Sequence, residues 1–283
     1  RLNNWVKNLF ILLPLFFSGE LFNTVKFINT FYVIIGFSLV TSFVYILNDI
    51  FDLKFDRIHP IKRFRPIASG KVSIVQALII SLILLSIGLT LLWSFSKICF
   101  LLAVFYTVLN FFYSLRLKQI PIIDFIIISI GFVVRILIGA DIGNLELSQW
   151  MIVMVFLLSL FIAVTKRRDD VYQYESENKI NRKVVIKYTV EYMDKLITII
   201  SSTLLVSYLL FVTSESVASR YPSNYLIISF LFVLIGVFRY NQITYVENKS
   251  GSPIKILYKD LFLQITLFLW VLTFFIVIYY NKL

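Results

Sequence analysis

The chain has 283 residues, of which 59% are hydrophobic and only 15% charged, with a formal net charge of +11. Its mean hydropathy is +0.86, which excludes a soluble globular domain, where about a quarter of the residues are charged. A single cysteine, Cys99, excludes a disulfide framework, and the charge does not point to nucleic acid, because no basic, aromatic-studded face sits on a soluble segment.

Apolar runs long enough to cross about 30 Å of hydrocarbon as helices recur from end to end. In chain order they predict nine spans, at roughly 8–22, 27–48, 73–95, 97–114, 120–140, 147–165, 196–214, 223–239 and 260–280. The short alternating strands of a transmembrane barrel are missing, as are linkers, low-complexity tracts and internal repeats. The predicted fold class is all-α: a polytopic membrane protein folded as one domain over residues 1–283. No charged segment followed by a short apolar core and a small-residue cleavage site is seen, so no removable signal peptide is expected. The lipid-facing helices carry no signal that separates a homo-oligomer from a single chain.

The links between spans alternate in character. Putting the N-terminus and the links after spans two, four, six and eight on one side collects 22 of the 27 Lys and Arg residues there. The positive-inside rule makes that side cytoplasmic, which predicts a multi-pass protein of the cell membrane with its polar chemistry facing the cytoplasm. The net charge follows from this rule together with attraction to anionic lipid. Arg135 stands apart, about fifteen residues into a span, where an arginine needs a partner or a polar cavity; a helix carbonyl or Asp141 is the expected partner, in a structural role.

Most of the chemistry is concentrated after span two, in NDIFDLKFDRIHPIKRFRP at 48–66. Asn48, Asp52 and Asp56 recur every fourth residue, so in a helix three oxygen-bearing side chains share one face. Carboxylates at that spacing repel one another unless a cation lies among them. One or two carboxylates, completed by water and a substrate's phosphate oxygens, are what Mg²⁺ prefers. Asp49 lies about 100° around the axis from Asn48 and is expected behind the ligands or on an adjacent surface. The basic loop with Lys62, Arg63 and Arg65 suits phosphate oxygens. His59, lacking a neighbouring histidine or cysteine, is better suited to a structural or phosphate-facing hydrogen bond than to a metal. A juxtamembrane cluster that merely fixes the helix at the headgroups would be mainly basic, without acids at helical spacing.

A second mixed stretch follows span six: Lys166, Arg167, Arg168, Arg182, Lys183 and Lys187 among Asp169, Asp170, Glu175, Glu191 and Asp194, with Tyr172, Tyr174 and Tyr188. Topology puts it on the same side as the first, and the two are expected to make one polar chamber. A solvated amphipathic loop helix would look similar. Smaller features fit a cytoplasmic site: Lys7 and Asn8 at the first span, Tyr113, Lys118 and Asp124 around the link after span four, and Arg239 and Asp260 bracketing the last link, where Gly251 and Pro253 turn the chain.

NDIFDLKFD resembles the N-D-x-x-D-x-x-x-D signature of the UbiA superfamily of intramembrane prenyltransferases. The likeness covers essentially the whole chain. It implies nine helices around a central cavity, aspartate-rich loops after spans two and six, and Mg²⁺-bound diphosphate. WVKNLFILLPLFFSG, the loop NDIFDLKFDRIHPIKRFRPIASG, YSLRLKQIPIIDFIIISIGFVVR, KRRDDV and RKVVIKYTVEYMD are similar to the decaprenyl-phosphate phosphoribosyltransferase branch. Typical prenyltransferases carry a second D-x-x-x-D after span six, whereas this chain begins that point with Lys166-Arg167-Arg168 and keeps Asp170 as the acid.

The resemblance implies phosphoribosyl pyrophosphate as the donor, polyprenyl phosphate as the acceptor, and diphosphate as the leaving group. Asn48, Asp52 and Asp56 are the implied metal ligands, with Asp52, Asp56 and Asp170 in catalysis. Lys62 and Arg65 would hold the outer phosphate oxygens, and Lys7, Lys166 and Arg167 the lipid phosphate. Asn8, Asp49, Tyr113, Lys118, Arg182 and Tyr188 complete the expected substrate contacts. The rival within enzymes joins a prenyl diphosphate to an aromatic or other small acceptor. A transporter would carry charges at mid-membrane depth, where here only Arg135 lies, and discontinuous helices in matching halves, which are not seen.

Overall fold

The computed structural model describes residues 2–58, 62–177, 183–218 and 223–279. Among these residues every regular element is a helix. The α-helices are α1 (Leu13–Phe17), α2 (Thr24–Phe51), α3 (Leu53–Ile58), α4 (Ile74–Phe95), α5 (Lys97–Leu115), α6 (Ile123–Gly143), α7 (Gln149–Glu177), α8 (Val190–Val212), α9 (Glu215–Ala218), α10 (Ser223–Leu226), α11 (Ile228–Tyr245), α12 (Pro253–Lys259) and α13 (Leu261–Tyr279). Among the described residues eight of them, α2, α4 to α8, α11 and α13, are long and apolar enough to cross a membrane.

Eight of the nine expected spans are therefore helices of crossing length. The first, expected at 8–22, is a shorter apolar helix, Asn4–Phe17, so eight and not nine helices of crossing length are found among the described residues. Its first part is a 3₁₀ helix, Leu2–Leu12, which rises about 2.0 Å per residue against 1.5 Å in an α-helix and so reaches further than its residue count suggests. Its end is set by Gly19, at φ 73°. The Gly19 N–H donates to the Phe16 carbonyl at 3.2 Å and the Glu20 N–H to Leu15 at 3.1 Å, the glycine-closed helix end known as a Schellman motif.

Helix starts elsewhere follow from local sequence. Asn23 accepts from the Lys26 N–H at the start of α2. Ser73 and Gln76 bond reciprocally at the start of α4, and Thr189 accepts from the Tyr192 N–H at the start of α8. Each satisfies N–H groups that have no partner inside the helix.

The chain clusters into two compact units, one of residues Arg1–Lys118 with Gly131–Glu146, the other of Gln119–Ile130 with Leu147–Leu283. In the first, α2 packs on α4 where Gly88 faces Gly36: a Cβ added at Gly88 would stand 2.7 Å from the Gly36 carbonyl oxygen. Small residues at such crossings are what brings membrane helices together, since lipid supplies no hydrophobic drive. The second half of α6 closes equally tightly on the N-terminal helix, with a Cβ on Gly139 only 2.0 Å from the Ile11 carbonyl oxygen.

Arg135 fastens the same region. Its Nε donates to Asn8 Oδ1 at 2.9 Å, one terminal nitrogen to the Gly131 carbonyl at 2.5 Å, and the other to the Tyr106 hydroxyl at 3.4 Å. Its guanidinium lies about equally over the rings of Phe37, Tyr106 and Phe132, at 5.3, 5.1 and 5.3 Å. The expected carbonyl partner is present. Asp141 instead accepts from Ser96 Oγ at 2.5 Å and Cys99 Sγ at 3.2 Å.

In the second unit, α7, α8, α11 and α13 close over a core that includes Phe161, Val164, Met193, Ile197, Ile243 and Leu263. Arg168 ties three of these helices: it donates to Asp194 Oδ1 at 2.9 Å, to the Thr244 carbonyl at 3.0 Å and to Asn248 Oδ1. At Gly251 the Asp169 carboxylate packs close to the turn, so that an added Cβ would lie 2.2 Å from Asp169 Oδ2 and that side chain would have to move. Arg239 and Asp260, the residues bracketing the last link, pair at 3.0 and 2.5 Å, and Asp260 also accepts from the Leu263 N–H that opens α13.

Two predictions follow from this packing. Gly139→Ala should lower the thermal midpoint of the detergent-solubilised protein, by about 1–3 kcal/mol of overpacking. Gly236→Ala, whose nearest neighbour would be 3.7 Å away, should leave it level or slightly raised; equal midpoints for the two variants would contradict the close crossing. The hydrogen bond from Arg239 holds the Asp260 carboxyl below its ordinary value, against a smaller opposing effect of burial. A carboxylate depressed in the folded state adds stability that is present above about pH 4 and lost as pH falls through its folded value. Acid titration of thermal stability should accordingly be flatter below about pH 4 in Asp260→Asn than in the parent.

Candidate active site

The first carboxylate cluster lies at the end of α2. That helix stops at Phe51, and Asp52 caps it at φ −89° and ψ 3° before α3 begins. The turn nevertheless persists, because the Asp52 N–H donates to the Asn48 carbonyl at 2.9 Å and the Asp56 N–H to Asp52 at 2.8 Å. The four-residue register expected for Asn48, Asp52 and Asp56 thus survives the break.

Each carboxylate here meets a base. Lys118 Nζ stands 2.5 Å from Asp52 Oδ1. One terminal nitrogen of Arg65 bridges Asp49 Oδ1 at 3.0 Å and Asp56 Oδ2 at 2.5 Å. Asn48 donates to Asp52 Oδ2 at 3.1 Å and accepts from Ser114 Oγ at 3.4 Å. Asp56 is 3% exposed and Asp49 9%, so their charges need these partners: a carboxylate removed from water is costly unless paired. Asp49, read from its angle as standing apart, shares Arg65 with Asp56. Seven residues are close to two full helical turns, which carries both to one side.

Asn48, Asp49, Asp52 and Asp56 offer hard oxygen donors, a set that fits Mg²⁺. Among the described residues no group of three or more His, Cys, Asp or Glu side chains forms a ready cage. An ion held here would take fewer protein ligands, completed by water and substrate oxygens, which is the habit of Mg²⁺ rather than of a structural metal. Lys62 and Tyr113 are half-buried. Asn8 is fully buried, with its amide nitrogen on Ser38 Oγ at 2.9 Å and Thr41 Oγ1 at 3.2 Å and its oxygen on Arg135. It therefore braces α2 and α6 from the N-terminal helix, beside the half-exposed Lys7.

The second cluster is built on Asp124, which is fully buried in the first turn of α6, where the helix dipole favours an acid. Arg167 donates to Asp124 Oδ2 at 2.8 Å and to Asp170 Oδ2 at 2.7 Å. The Tyr188 hydroxyl donates to Asp124 Oδ1 at 3.0 Å and accepts from the Ile122 N–H at 2.6 Å. Burial pushes the Tyr188 phenol above its ordinary value, so it stays protonated and keeps donating. Ile122 has φ +69°, a left-handed conformation that costs a β-branched residue on the order of 1–3 kcal/mol and is held only where its surroundings enforce it.

Arg167, expected to meet a lipid phosphate, is only 4% exposed and lies between two carboxylates. Lys166 beside it is exposed, and Asp170 is half-buried. Arg182 and His59 lie outside the described residues. Asp124 as the hub, Ser114 as a partner of Asn48 and the strained Ile122 escaped the sequence reading. The signal for Asp124 was one acid just after a proline, at the head of an otherwise apolar run.

The UbiA prenyltransferase family model matches residues 9–271. The chain is 30% identical over 275 residues to decaprenyl-phosphate phosphoribosyltransferase of Corynebacterium glutamicum, covering 96% of this chain and 82% of that protein. It is 28% identical over 293 residues to the protein of the same name in Mycolicibacterium smegmatis, covering 99% and 91%. Among solved structures, a UbiA homologue from Archaeoglobus fulgidus bound to DMAPP and Mg²⁺ shares the fold at a TM-score of 0.72 and 18% identity, over 97% of this chain and 96% of that one. With a family match over nearly its full length, the fold to go with it, and the aspartate signature at the end of α2, this multi-pass membrane protein belongs to the UbiA prenyltransferase family.

Proposed function

We propose that the chain transfers 5-phosphoribose from phosphoribosyl pyrophosphate to a polyprenyl phosphate such as decaprenyl phosphate, releasing diphosphate, and that both units serve this one activity. Near-full-length similarity to proteins named for that reaction supports the reading. The observation that carries it is the second motif. Its Asp170 is matched by Arg167, and exposed Lys166 stands alongside. A prenyl diphosphate donor calls for a second metal-bearing acid patch, whereas this balance of charge suits a lipid phosphate.

In the proposed reaction the C1–O bond to diphosphate breaks, and its electron pair leaves on the diphosphate oxygen. A lipid phosphate oxygen supplies the pair for the new C1–O bond. Asn48, Asp52 and Asp56 would hold Mg²⁺, which when bound neutralises charge growing on the leaving diphosphate. Arg65, Lys62 and Lys118 hold phosphate oxygens of the donor. Lys166 orients the lipid phosphate, which is already anionic and needs positioning more than a general base. Asp170 stabilises positive charge developing at C1, at a position set by Arg167, Asp124 and Tyr188. The excess of cations on the even links supports a site on the cytoplasmic face of the cell membrane. A second reading, joining a prenyl diphosphate to a small acceptor, draws on the DMAPP and Mg²⁺ held by the fold's Archaeoglobus fulgidus relative.

Purified protein given radiolabelled phosphoribosyl pyrophosphate, Mg²⁺ and short polyprenyl phosphates should form a labelled lipid. Absence of that product across several chain lengths, with prenylation of an aromatic acid in its place, would replace the first reading by the second. Asp52→Ala and Asp56→Ala should each cut turnover on the order of 10²–10³-fold while the protein still inserts and runs as a single species in detergent; near-normal turnover in either would remove the metal assignment.

A further inference from the structure

Arg65 and Lys118 already stand on the carboxylates to which a divalent cation would have to bind. Arg65 bridges Asp49 and Asp56, and Lys118 meets Asp52, with separations of 2.5 to 3.0 Å. Asp56 is 3% exposed and the Lys118 side chain 13%, so these pairs are poorly screened by water. A divalent ion arriving while both bases remained in place would meet two cations at contact distance. Diphosphate arriving alone would need basic side chains that the carboxylates already hold.

We propose that Arg65 and Lys118 are exchangeable counterions. They neutralise Asp49, Asp56 and Asp52, and pass to the diphosphate oxygens when a divalent cation takes their place. The proposal rests on the assignment of Asn48, Asp52 and Asp56 as the metal-holding residues. It makes metal and diphosphate binding one coupled event: each ligand releases the partners the other requires, which is positive coupling between two sites. Arg is suited to the bridging position because one terminal nitrogen, with two N–H donors, meets both carboxylates, and the guanidinium carries further N–H groups for phosphate oxygens. Lys118, on its flexible stem, moves a point charge over a short arc.

The test uses the intact protein in lipid nanodiscs, with Mn²⁺ alone as the probe, read by the electron paramagnetic resonance signal of free ion, and then with inorganic diphosphate added. For the parent, Mn²⁺ alone should bind weakly, and diphosphate should tighten it on the order of 5–150-fold, the usual range for coupled sites. Arg65→Met and Lys118→Met should each bind Mn²⁺ alone more tightly than the parent, because a competitor has gone, and should gain less from diphosphate. Arg65→Lys, which keeps the charge, should return weak metal-only binding. A purely structural role predicts the opposite sign, with metal-only binding unchanged or weaker in both methionine variants, and that result overturns the proposal. Should Arg65→Met fail to fold, Lys118→Met decides the matter on a separate carboxylate. Because no phosphoribosyl donor or lipid is present, the outcome is independent of whether the labelled lipid forms. A parent that makes labelled lipid but lacks the opposed binding effects would retain the enzyme assignment and lose the exchange.

Discussion

In hydrocarbon no water is available to satisfy a polar group, so each backbone N–H and C=O must bond within its own helix, and each charge must reach a helix end or find a partner. The architecture follows from that constraint. Apolar runs become helices because no other open structure closes its own hydrogen bonds in lipid. The polar sequence is expelled to the links, and the cations collect on one side. Where a charge stays within a helix it comes with acceptors, as Arg135 does on Asn8, Gly131 and Tyr106 beside three aromatic rings. Arg135 thereby stops being a liability and becomes the fastening between the N-terminal helix, α2, α5 and α6.

The same demand shapes the chemistry. Carboxylates cannot lie bare beside a bilayer, so the fold supplies them with basic side chains: Arg65 and Lys118 in one cluster, Arg167 in the other. The two clusters differ in depth. In the first, Arg65 and Asp52 have side chains 28% exposed, which leaves room for partners to change. In the second, Arg167 and Asp124 are 4% and 0% exposed, and a Tyr188 phenol kept protonated by burial completes the set. A buried pair of that kind is expensive to separate and acts as a fixed brace under the turn at Ile122.

Much of this was legible in the chain. The spacing of Asn48, Asp52 and Asp56 carried the metal-site reading, and the break between α2 and α3 left that spacing intact because the backbone bonds across it persist. Eight of nine spans were readable from apolar length alone. The first was placed too far along the chain, running to 22 where the helix ends at Phe17, because the Schellman closure at Gly19 is a local backbone event that hydropathy does not register. Asp49 was assigned by its angle on a single helix, a rule that cannot see a loop arginine folding back to bridge two turns. Arg167 looked like a phosphate ligand because position in sequence shows charge without showing the buried carboxylate opposite.

The sequence by itself determined the class of fold, the alternation of cation-rich and cation-poor links, and the residue types that suit a metal–diphosphate group. Those are properties of composition and of periods of about 3.6 residues, which are local. Only the tertiary structure decided which cation each carboxylate owns, that Asp124 and not a motif aspartate is the hub of the second cluster, and that Asn8 and Arg135 brace the core. Such pairings join residues as many as 127 positions apart, and what selects them is burial: away from water, each charge takes the partner that the packed helices bring within reach.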